Sequence, residues 1–305
     1  RIYLATADGG LKLIREEVAV VDTLVIEGSV GFDTGNLHFP GEIVIKGNVG
    51  QGFTVKAGAN VTIFGSVDAG AVVAAGGNIS IGYGILGRKT KVVAVGDVRA
   101  QFVQEARVCA GRNLYLYNHA QQGRLQAGNR IIVERGKGLR GGSLVGGEAW
   151  GLHGIRCSFA GAPTYARSDL VTGVDPEQAE ALDRINGKLK ESQKLLMRQL
   201  ERFGLKSVDV KAIQQRIAAS SGTQQRMLAR AARLLGKVVQ QHQRLLRDKI
   251  EIENSMINSL KGAAIEVSER AFPGVWIRIG DQQQRLTSDV EKARFHLLHD
   301  QLQER

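Results

Sequence analysis

Four stretches decide the fold: Leu24-Val25-Ile26-Glu27-Gly28-Ser29-Val30, Ile43-Val44-Ile45-Lys46-Gly47-Asn48-Val49, Val61-Thr62-Ile63-Phe64-Gly65-Ser66-Val67 and Ile79-Ser80-Ile81-Gly82-Tyr83-Gly84-Ile85. Their first residues are 19, 18 and 18 positions apart. Apolar residues alternate within each stretch, as in Val61 and Ile63, so each is a strand with one face turned inward; a helix would need a period of 3.6. The column extends less regularly to Val98, Leu114, Ile131 and Ala149. Eight copies at so even a period predict a solenoid, in which each unit buries its apolar row only by stacking on its neighbours.

A small residue followed by Gly recurs just before the strands, at Ala57-Gly58, Ala75-Gly76, Val95-Gly96, Ala110-Gly111, Ala127-Gly128 and Gly146-Gly147. These glycines are read as corners of positive φ, with Asn60, Asn78, Asp97, Asn113 and Asn129 close behind as the residues that tolerate that region next best. Stacked Asn side chains can also hydrogen-bond from coil to coil. The repeat predicts a parallel β-helix of about eight coils, each rising about 4.8 Å. It also explains why 30 of the 38 glycines fall in residues 1–172.

The pattern changes at Gly173-Val174-Asp175-Pro176-Glu177, where Asp175 caps a helix and Pro176 takes its first position. Leu182, Leu189, Leu196 and Phe203 then recur every seven residues. A short amphipathic piece with Val210, Ile213 and Ile217 leads to a second long helix holding Leu228, Leu235, Val238, Leu245 and Ile252. Two such helices fold back as an antiparallel coiled-coil hairpin whose seam is imperfect at Ser192, Gln199 and His242. Strand character returns with Ile265, Val267 and the alternating Val275, Ile277 and Ile279; the segment Thr287 to Gln303 fits either helix or strand. The expected organisation is therefore mainly β with a helical insertion. Residues 1–173 form the parallel β-helix, 174–260 the hairpin, and 261–305 C-terminal strands that return to cap the rod, since an open terminal coil is prone to aggregate.

The composition excludes several classes. Gly without a three-residue period and only 4 Pro rule out collagen, and 43% hydrophobic residues rule out disorder. Two cysteines, Cys109 and Cys157, build no disulfide framework, so the expected compartment is the cytoplasm, with membrane-peripheral or polar placement as a variant. Arg1 is not an initiator Met, so the chain is read as a fragment or processed form. The uncharged stretch from Ala69 to Gly87 has six Gly and alternates with period two, unlike a spanning helix.

Signals for chemistry are weak. Gly82-Tyr83-Gly84-Ile85-Leu86-Gly87-Arg88-Lys89-Thr90 departs from a phosphate loop because Arg88 separates the last Gly from the Lys and a strand follows. Gly136-Lys137-Gly138-Leu139-Arg140-Gly141-Gly142 is read as a turn with solvated charges in preference to an anion nest. His296 and His299 lack a nearby carboxylate or Cys for a metal site, His38, His119, His153 and His242 are isolated, and both cysteines are read as structural thiols. Asp33, Asp68 and Asp97 fall at different places in their repeats, so no carboxylate pair of a carbohydrate-active β-helix enzyme emerges. No catalytic, metal or cofactor residue is assigned.

The strongest charge signal lies on the second long helix, in a chain of net charge +11. Arg226, Arg230, Arg233 and Lys237 share one stripe, Arg244 and Arg247 follow, and no acid intervenes before Asp248. The stripe is the candidate partner-binding surface, for an acidic protein, anionic lipid or nucleic-acid phosphates; the plain alternative is pairing with Glu180, Glu191 and Glu201 of the opposing helix. No interleaved aromatics suggest base reading, so no specific nucleic-acid partner is expected.

The sequence resembles the bacterial flagellar assembly protein A family. The resemblance lies in Gly35-Asn36-Leu37-His38-Phe39-Pro40-Gly41-Glu42-Ile43-Val44-Ile45-Lys46-Gly47, Gly84-Ile85-Leu86-Gly87, Lys137-Gly138-Leu139-Arg140-Gly141-Gly142 and Gly173-Val174-Asp175-Pro176, and it covers nearly the whole chain. It implies a right-handed parallel β-helix with a helical hairpin, normally preceded by an N-terminal domain that is missing here. It further implies a non-enzymatic scaffold for flagellar assembly or polar placement. The implied partners are proteins of that process and a sugar phosphotransferase regulatory component acting through the missing domain; a homo-oligomer is a further expectation that does not come from the resemblance. The alternatives are an anion-binding module acting through the basic stripe and a carbohydrate-active β-helix enzyme.

Overall fold

The computed structural model describes residues 10–14, 17–134, 141–164, 166–298 and 301–304. It is a β-solenoid of about eight turns with three helices inserted near its end, followed by further strands. The chain divides into two compact units, Arg1–Val174 with Ser259–Arg305, and Asp175–Asn258.

In the first unit each coil places three apolar columns on the axis. The first sheet stacks Ile43, Val61, Ile79, Val98, Leu114, Ile131, Ile155 and Ile265 in parallel register, all buried. The second stacks Val55, Val73, Val92, Val108, Leu125, Ala149, Leu170 and Ile277. A third column runs through single bridges at Val30, Val49, Val67 and Ile85 and continues as Val103, Ala120, Leu144, Ala160 and Ala271. Each buried Val, Ile or Leu contributes roughly 1.5–3 kcal/mol, so the stack is stabilised by apolar burial along its whole length.

The register corrects one expectation. Ala149 is not in the column of Ile131; it pairs with Leu125 and Leu170 in the second sheet, and the partner of Ile131 is Ile155. The seventh coil is longer than the six before it, because extra chain follows Arg130–Val133 and delays the next strand, Ser143–Val145. Alternation alone does not reveal a lengthened coil, since small residues such as Ala149 suit either sheet.

A second correction concerns the corner glycines. Gly147 of that series does have positive φ (75°), but Gly58, Gly76, Gly96, Gly111 and Gly128 are absent from the residues of positive φ. Their cause is close stacking: a Cβ at Gly58 would overlap the Pro40 carbonyl oxygen, one at Gly76 that of Gly58, and one at Gly128 that of Gly111. Positive φ belongs to the corner after the third column, at Gly52 (78°), Gly70 (76°), Gly87 (85°), Glu105 (56°), Gln122 (53°) and Gly146 (67°).

The Asn residues do bond from coil to coil. The Asn78 backbone N–H donates to Asn60 Oδ1 at 2.8 Å, Asp97 N–H to Asn78 Oδ1 at 2.9 Å, and Asn113 N–H to Asp97 Oδ1 at 3.1 Å. Asn129 Nδ2 continues the ladder to Asn113 Oδ1 at 2.9 Å. Such bonds satisfy backbone groups that the turn leaves outside the sheets.

The second unit holds α1 (Pro176–Glu201), α2 (Val210–Ala218) and α3 (Gly222–Leu260). Gln178 donates to Ser255, and Ser192 faces His242 Nδ1 at 3.2 Å, so α1 and α3 run antiparallel. Two of the polar seam positions therefore satisfy each other. Leu200, Phe203, Ile213, Ala231 and Leu235 form a small core that also fixes α2, whose N-terminus is capped by Asp209 accepting from the Lys211 and Ala212 N–H groups. No described helix is long and apolar enough to cross a membrane.

After α3 the chain re-enters the solenoid. Ala264–Ala271 adds in parallel to Gly154–Ala160, and Val275–Ile279 to Ser168–Thr172. Antiparallel strands then close both sheets: Val290–Leu298 and Gln301–Glu304 on the first, Gln282–Arg285 on the second. Of the segment that fitted helix or strand, Val290–Leu298 is strand, and a further strand runs over Gln301–Glu304.

Candidate partner-binding surfaces

Arg226, Arg230, Arg233, Lys237 and Arg244 all lie on α3 with exposed side chains. Their spacing keeps them clear of the seam occupied by Ala231 and Leu235. Among the described residues none of the five makes an ion pair, and the pairing with Glu180, Glu191 and Glu201 is not formed; the helix's own pair is Lys249 with Glu253 at 3.5 Å. The stripe is a row of unneutralised cations.

The other sequence candidates resolve into structure. Thr90 of the glycine-rich Gly82–Thr90 segment donates its hydroxyl to Leu86 O at 2.6 Å and accepts from Gly70 N–H at 2.9 Å, so it fixes a turn. The basic turn at residues 136–142 lies mostly outside the described residues, as does His299. Imidazole Nδ1 of His296 is buried without a partner, and no described His, Cys, Asp and Glu residues group into a metal site. His119 stacks on Phe102 with ring centres 5.2 Å apart, and burial lowers its pKa. Burial, with the Glu134 carboxylate adding to it, pushes the Cys157 thiol up to about 12. Cys109 is half-buried; burial also raises its pKa, against the opposing pull of Lys91, Arg107 and Arg124.

Asp97, read only as a scattered carboxylate, is a rung of the corner ladder. Burial works to raise its pKa, but hydrogen bonds from Asn113 and the guanidinium groups of Arg112 and Arg99 outweigh it, and the net shift is downward. Arg99 lies 3.1 Å and Arg112 3.5 Å from its carboxylate oxygens.

The outer face of the second sheet gathers chemistry that sequence reading did not find. Both tryptophans of the chain meet there: the Arg278 guanidinium sits 4.7 Å from the Trp150 ring centre, and that of Arg167 5.5 Å from Trp276. Glu148 and Asp169 occupy adjacent rungs beside them, so an outer-face carboxylate pair does exist, contrary to expectation. The groove they share holds about 380 Å³. Arg167 Nε donates to Asp169 at 3.1 Å, whereas Arg124 Nε lies 3.1 Å from Glu148 Oε2 in an ion pair not aligned for a hydrogen bond. Each carboxylate thus faces its own guanidinium, two ion pairs rather than an acid beside a base. Trp150 and Trp276 are brought onto one face only by the strand pairing that spans the helical insertion, which no local pattern announces.

Among known protein families, the chain matches the model described as the Flagellar Assembly Protein A beta solenoid domain, over residues 22–302. No curated protein and no solved structure matches the chain.

Proposed function

The chain belongs to the flagellar assembly protein A family, and from that membership we propose that it is a non-enzymatic scaffold in bacterial flagellar assembly or its regulation. It presents solenoid and helical surfaces to partner proteins in the cytoplasm. The observation that carries this reading is that the family match runs through the solenoid, the inserted helices and the returning strands together. A continuously packed core gives such a unit stiffness, since each coil touches only its neighbours. The test is to replace residues 175–258 by a short linker in cells that encode the chain, with flagella counted by electron microscopy and the solenoid's fold checked in the purified variant. Loss of flagella with an intact solenoid is expected; normal flagellation in cells lacking the whole chain rejects the role.

The exposed, unpaired stripe on α3 favours a second reading, an anion-binding surface for acidic lipid or nucleic acid. Reversal of Arg226, Arg230 and Arg233 to Glu is then expected to abolish vesicle or oligonucleotide binding together with its salt dependence. Binding that persists at high salt rejects it.

A further inference from the structure

Lys91, Arg107 and Arg124 are register partners in three consecutive parallel strands of the second sheet. All three are exposed and share the outer face, so their side chains stack at about 4.8 Å per rung. Adjacent like charges in a sheet destabilise it. Lys91 and Arg107 have no carboxylate partner among the described residues, and Arg124 has only Glu148 at the end of the row. Lys89 joins them from a turn held at φ 68°, a conformation that side chains disfavour. With Thr90, Glu105 and Gln122 these residues line an open groove of about 390 Å³. On the next two rungs each carboxylate, Glu148 and Asp169, is matched by a guanidinium, whereas Lys91 and Arg107 have no such match.

We propose that this groove docks an acidic segment of a partner protein, in extended conformation, with its carboxylates on Lys91, Arg107 and Arg124. The dimensions fit: three rungs span roughly 10 Å, and the carboxylates that an extended acidic segment turns to one face, at alternate residues roughly 7 Å apart, fall within the reach of these three long side chains. Glu148 and Asp169 occupy the next two rungs of the same row and end the basic patch. A long polyanion such as duplex nucleic acid would run onto those carboxylates, whereas a short acidic segment stops before them. Among the described residues no aromatic side chain lines the groove for base stacking or for insertion into a lipid surface. The groove shares no residue with the α3 stripe.

Cys109 gives a local readout. It lies two residues beyond Arg107 in the same strand and faces outward, half-exposed, while the only other thiol, Cys157, is fully buried. The experiment follows the rate of maleimide addition to Cys109 in the whole chain at low salt, with and without a synthetic tetraglutamate peptide. Saturating peptide is expected to slow the reaction several-fold. The substitutions Lys91→Glu and Arg107→Glu together are expected to weaken peptide binding by roughly ten-fold or more and remove the protection, while reversal of Arg226, Arg230 and Arg233 leaves protection in place. The milder pair Lys91→Gln and Arg107→Gln, which relieves repulsion within the sheet, decides the matter should the reversed pair fail to fold. Unchanged Cys109 reactivity with peptide overturns the proposal. So does protection that survives either double substitution, or protection given by phosphatidylglycerol vesicles or an oligonucleotide duplex but not by the peptide.

Discussion

Gly58 admits no side chain because the Pro40 carbonyl of the preceding coil occupies the place a Cβ would take. Gly52 differs: open space surrounds it, and its requirement is a φ of 78°. Alanine at Gly52 is therefore expected to cost about 1 kcal/mol, the ordinary expense of the left-handed region. At Gly58 it must push neighbouring coils apart and is expected to cost roughly 2–3 kcal/mol. Urea titration of both variants checks the order, and a greater loss at Gly52 contradicts the stacking argument. Asp97 carries a pH signature. Its pKa is lowered on folding, so its contribution is complete above its unfolded value, about 3.9, and disappears as pH falls through the folded one. Asp97→Asn is expected to lower stability near neutrality by about 1 kcal/mol and to flatten the acid limb of the stability profile below roughly pH 4. Parallel acid limbs in wild type and variant would rule this out.

At the scale of the element, a strand of the solenoid is specified by which alternate residues point inward. Ile63 is 1% exposed while Thr62, its neighbour, faces out. Ile63→Asp buries an unpaired charge and is expected to cost more than about 4 kcal/mol, enough to unfold the solenoid; Thr62→Asp should cost less than about 1 kcal/mol. Equal losses of melting temperature in the two variants would mean the register is wrong. This level was the most legible in the sequence, because two-residue alternation reports burial directly and the regular spacing reports stacking. The seven-residue recurrence of Leu182, Leu189, Leu196 and Phe203 did the same for the hairpin. Legibility failed wherever a contact depends on how many residues a loop consumes. The lengthened seventh coil hid the partner of Ile131. The helical insertion hid the meeting of Trp150 with Arg278, and of Arg156 with Glu266 at 2.8 Å. The cation row of Lys91, Arg107 and Arg124 was hidden differently, since its members are 16 and 17 residues apart and become neighbours only once exact register is known.

For the whole molecule, the ends matter more than the middle. Interior coils are paired on both sides, whereas a terminal coil offers unpaired N–H and C=O groups to any passing strand. The antiparallel strands Val290–Leu298 and Gln301–Glu304 cover that edge on the first sheet, and Phe295 and Ala293 close the core beneath them. Ending the chain after Asp289 is expected to leave the earlier coils folded while promoting concentration-dependent association, measurable by light scattering. A monomeric, fully soluble truncation would show that the strands are dispensable as a cap.

The pairing of Gly154–Ala160 with Ala264–Ala271 also sets a clock. The first coils need only the next twenty or so residues before they can stack, so they can form almost as fast as chain is delivered. The final coil must wait while the whole of α1, α2 and α3 is synthesised. The 91 residues between Thr172 and Ala264 take roughly 5–18 s at ordinary translation rates. For that interval the growing solenoid presents the open rims of Gly154–Ala160 and Ser168–Thr172 to its surroundings. Ribosome-bound intermediates stalled within the helical segment are therefore the species most exposed to chaperones, and to premature pairing with a neighbouring nascent chain on the same messenger.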